Sequence, residues 1–102
     1  MGNYKIKMLL LSTISGADLL ENFLLEDYDR ATIRDCMKCN FDEMDRIGVP
    51  YIVQNAALVA GHKNKGKRPC MALTTELMEE YADRLTELAC NEWKTMMEGR
   101  TV

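Results

Sequence analysis

The chain has 102 residues and a mass of 11.7 kDa, with 16 acidic and 13 basic side chains and a formal charge of -3. That length supplies one domain with one core. A composition 47% hydrophobic and 28% charged, with only 6 Gly and 2 Pro, excludes disordered, collagenous and low-complexity classes. The overall sign of charge excludes a generally basic nucleic-acid coat.

Residues 4–11 begin with a two-residue alternation, in which Tyr4, Ile6, Met8 and Leu10 oppose Lys5 and Lys7. That period fits a short strand, while Leu9–Leu11 fits a helix equally well. Lys5 and Lys7 ahead of the apolar stretch from Met8 to Ile14 also raise a secretory leader. The stretch is short and broken by Ser12 and Thr13, so an ordinary first element and a cytoplasmic location are expected.

Ser15 and Asp18 have the spacing of a capping box, with Ile14 and Leu19 at the staple positions. A first helix is expected from about Gly16 to Glu26. Asp29 is a good N-cap for a second, whose apolar positions are Ile33, Cys36, Met37, Phe41, Met44 and Ile47. Gly48 supplies a left-handed stop, Val49 can pack back on Met44, and Pro50 forbids continuation. Pro50 to Ala60 reads as a third helix, apolar nearly all round and therefore central, with Gly61 as its end.

Residues 62–69 form a basic loop. Thr74 or Thr75 caps the last helix, whose stripe includes Leu77, Met78, Tyr81, Ala82, Leu85, Leu88, Trp93, Met96 and Met97. At roughly 37 Å this helix is longer than the others expected. The expected fold is all-α: a single domain over 1–102 with about four helices, with or without a short N-terminal strand.

The long helix carries the leading functional reading. Trp is a frequent interface anchor, and Met adapts to irregular partners. Tyr81, Trp93, Met96 and Met97 therefore form the expected interface of a homodimer. The chain is read as a non-enzymatic protein-protein interaction module of adaptor or inhibitor type, with no cofactor and no membrane span.

The alternative reading is a helix-turn-helix-like DNA-binding regulator. Residues 30–60 would supply the two helices, with Tyr51, Gln54 and Asn55 facing base edges. His62, Lys63, Lys65, Lys67 and Arg68 would meet phosphate, or an acidic protein face. The third helix has no Arg or Lys, and Asp42, Glu43 and Asp45 precede its turn; both features oppose this reading.

A third reading is a small zinc-stabilised domain. Cys36 and Cys39 have metal-ligand spacing, and His62 and Cys70 could complete a tetrahedral set. Buried, reduced thiols are the expected state of Cys36 and Cys39. Catalysis has little basis, because the single histidine lies in a cationic loop.

Overall fold

The computed structural model describes residues 3–62 and 74–100, with side chains in the last helix through Asn91. Four helices account for nearly all of it: α1 (Asn3–Asn22), α2 (Asp27–Ile47), α3 (Tyr51–His62) and α4 (Thr75–Arg100). No strand occurs among the described residues.

The expected break inside the first element is absent. α1 runs straight through Ser15 and Asp18, so the capping-box spacing there is not a helix start. The reason is tertiary. Ile6, Leu10, Thr13, Ile14 and Ala17 recur at helical spacing and are all buried, so one continuous stripe spans the apparent cap. α1 also ends early, at Asn22, and Leu24 lies outside it, fully exposed. Arg30 closes that end, donating to the carbonyls of Leu20 at 3.0 Å and Phe23 at 3.4 Å. A guanidinium on the last carbonyls of a helix meets both orphan acceptors and the negative end of the dipole.

α2 stops where its sequence says it should. Gly48 has φ 86, its N–H reaches the Asp45 carbonyl at 3.2 Å, and the Val49 N–H reaches Met44 at 2.9 Å. Those two bonds make a Schellman motif, and Met44 and Val49 join the same buried cluster. The Pro50 carbonyl then accepts from Val53 and Gln54, opening α3.

Two expectations for α3 fail. Gly61 is not its end but a buried residue inside it. The helix is also not buried all round, since Ile52 and Val59 are each 67% exposed. A short helix can bury only the faces its neighbours reach, and here Val53, Ala57 and Gly61 face inward. α4 starts as expected, with the Leu77 N–H donating to Thr74 Oγ1 at 3.2 Å.

α1 is the hub. It packs on each of the other three helices, whereas among the described residues α2 and α4 make no close approach and α2 meets α3 only sparsely. The core is built from Ile6, Leu10 and Ile14 with Met44, Val53, Ala57, Ala82 and Ala89. Polar clamps flank it. Lys5 Nζ lies 2.6 Å from Glu43 on α2, and Lys7 Nζ lies 3.0 Å from Asp83 on α4. Asn40 donates to Ser12 Oγ at 2.9 Å.

The Glu43 carboxyl is pulled down to about 2, first by its hydrogen bonds from Arg46 and then by Lys5. Its folded value thus lies below the ordinary 4.5. The stabilisation is present above that ordinary value and is lost as pH falls through the folded one. Acid titration followed by helical circular dichroism should lose stability between those two values in the wild type. The loss is expected to be shallower in Glu43→Gln. Identical profiles would show that the pairing of Glu43 with Arg46 and Lys5 adds nothing.

Candidate interaction surface

The exposed apolar side chains mark the surface best suited to function, because single exposed apolar residues are ordinary but grouped ones are not. One group lies along α3 and α4. Ala56, Val59 and Ala60 on α3 and Tyr81, Arg84 and Leu85 on α4 line a shallow groove of about 420 Å³. Ile52 continues the α3 side, and Leu88, 47% exposed, continues the α4 side. These residues are distinct from the inward stripes of the same helices, which are Val53, Ala57 and Gly61 on α3 and Ala82, Thr86 and Ala89 on α4. A smaller group, Phe23, Leu24 and Tyr28, sits at the α1–α2 turn.

Charge is unequal across the groove. α3 carries no charged side chain before His62. Among the described side chains of α4, Glu76, Glu79, Glu80, Asp83 and Glu87 are all exposed against one cation, Arg84, which itself lines the groove. Arg84 is already held by Glu80 at 2.5 Å.

The residues singled out from sequence fall in several places. Tyr81 is half-buried at the groove. Trp93, Met96 and Met97 belong to α4, but their side chains lie outside the described set. His62 is exposed at the end of α3, with Nε2 3.7 Å from Glu21 of α1. Lys63, Lys65, Lys67, Arg68 and Cys70 lie outside the described residues. The contact between His62 and Glu21 pairs the first residue of the basic stretch with the acidic end of α1.

Gln54 does not face outward as a base reader would. It is 2% exposed, and its amide donates to Asp45 Oδ1 at 2.9 Å and the Val49 carbonyl at 3.1 Å. Those bonds tie the α2–α3 turn together, so its role there is structural.

Cys36 and Cys39 are both exposed, contrary to the expectation of buried thiols. α2 rests on α1 mainly through Met37 and Met44, one face of a long polar helix, and Cys36 falls off its edge. No group of three or more His, Cys, Asp or Glu that could hold a metal occurs among the described residues. Sequence reasoning missed the groove itself. The exposed phase of Ile52 and Val59 was hidden because the third helix looked uniformly apolar.

No helix among the described residues is long and apolar enough to cross a membrane. No family model, curated protein or solved structure matches the chain.

Proposed function

We propose that the chain is a non-enzymatic protein-protein interaction module that pairs with a second copy through α4. The observation that supports this reading is the reach of α4 beyond α1. The two helices run antiparallel, with Lys7 beside Asp83 and the Cys90 thiol donating to Asn3 Oδ1 at 3.2 Å. The described part of α1 begins at Asn3, yet α4 continues to Arg100. The extra length is roughly 15 Å at the rise of an α-helix.

The sequence keeps its apolar phase along that extension. Ala82 and Ala89 are buried seven residues apart, and Met96 follows after seven more. Thr86 is buried, and Trp93 follows it at the same interval. A seven-residue repeat stays close to one helix face over this distance. The repeat thus continues past the described part of α1, and a second α4 is the simplest cover in a closed two-fold pair.

Light scattering coupled to size-exclusion chromatography tests this reading. Wild-type protein is expected at twice the chain mass. Met96→Glu and Trp93→Ala should run at the single-chain mass with unchanged helical circular dichroism. A wild-type monomer at the highest soluble concentration would overturn the pairing.

A further inference from the structure

We infer that the α3/α4 groove receives an amphipathic helix of another protein, one whose apolar stripe is flanked on one side by lysine or arginine. The site is separate from the proposed pairing surface at the end of α4, and rests on the described side chains alone.

The floor favours a helix. Ala56 and Ala60 are small and one turn apart on α3, so a third helix can come close at the ordinary interaxial distance of about 8–10 Å. Val59 and Leu85 then stand on opposite walls. On each helix the lining residues recur at three- and four-residue intervals, the pattern that a helix seated in a groove matches. The volume of about 420 Å³ is within the usual range of binding clefts, but it is a shallow trough.

Charge selects the occupant and its orientation. The α3 wall is neutral, so it accepts an uncharged flank. On the α4 rim Arg84 lines the groove and is paired with Glu80, so the net charge there is left to the exposed Glu76 and Glu87. A basic flank laid along that rim meets opposite charge, whereas an acidic helix meets repulsion. Turning the helix end for end keeps its apolar face down but moves its basic flank to the neutral wall. The asymmetry therefore sets direction as well as partner class.

The test uses two synthetic peptides of about 18 residues, five turns of helix. Both carry leucines at helical spacing; one has lysines along a single flank and its twin has glutamates there. Fluorescence anisotropy at low salt should show the lysine peptide binding about tenfold more tightly, the scale of a few rim ion pairs exchanged for repulsions. Val59→Glu should abolish binding, and Glu80→Lys/Glu87→Lys should reverse the preference. Val59 is mostly exposed, so the variant is expected to fold, with Leu88→Glu as the second choice if circular dichroism shows otherwise.

Equal binding of the two peptides, no binding of either, or unchanged binding to the variant that folds would overturn the inference. So would a fall to single-chain mass on Val59→Glu, which would seat a second copy in the groove. Met96→Glu separates the two proposals, because it should remove pairing and leave lysine-peptide binding intact.

Discussion

Gly61→Ala is expected to lower the unfolding free energy by about 3 kcal/mol in urea denaturation, with a fall in Tm of more than about 10 °C. A Cβ at this position would lie 2.4 Å from the Ala17 Cβ and 2.6 Å from the Ile14 carbonyl oxygen. Both obstacles belong to the α1 framework, and neither is the end of a flexible side chain. The two helices must part, loosening the tightest seam of the hub. The helix propensity gained, roughly 1 kcal/mol, only partly offsets this.

Gly16→Ala is the control. Its Cβ would meet Met37 Cγ and Sδ, each at 2.9 Å. A methionine side chain can swing aside, so the clash and the propensity gain should nearly cancel, to within about 1 kcal/mol. Equal losses in the two variants would contradict the close α1–α3 seam.

Gly61 also shows where sequence reading stops. A glycine after an apolar run is a fair helix terminator, and Gly48, with its φ of 86 and Pro50 two residues on, is one. Gly61 has polar residues after it but no proline to stop the helix. It stays helical with the backbone of α1, more than forty residues earlier, pressed against it. Local signals were reliable where the partner is also local: the Gly48–Val49–Pro50 stop, the Thr74 cap and the amphipathic period of the last helix. They failed at Ser15–Asp18, where a buried stripe carried the helix through a sound cap signal, and at Asp29, which lies in the first turn of α2 while Glu26 takes the cap position with no side-chain bond.

Leu10→Ala is expected to cost about 3–4 kcal/mol, again read from denaturant midpoints. Leu10 has no exposed surface and sits in the cluster shared by α1, α3 and α4. The helices around it are held by their own contacts and cannot collapse into the void. Met8→Ala, at a site 42% exposed on the same helix, should change stability by less than about 1 kcal/mol. A small loss at Leu10 would mean that the hub is not packed as described.

The candidate surface was legible only in part. Tyr81, expected in the pairing interface, lies half-buried in the groove lining, on a stripe set by its own helix. The α3 half was not legible. Tyr51, Ile52, Val53, Ala57 and Val59 look alike in sequence, and only the direction from which α1 approaches decides which are covered. The exposure of Cys36 has the same origin: its helix rests on α1 along a narrow line.

The hub arrangement also constrains how the chain folds. α1 is the first of the four helices, and its contact with α4 joins residues 87 apart, Cys90 and Asn3. Here the framework helix has to hold an open position until the far end of the chain arrives, and the entropy of that long closure comes before the burial that rewards it. The topology thus gives an all-helical chain a non-local step, and its folding should be slower than its helix content alone suggests.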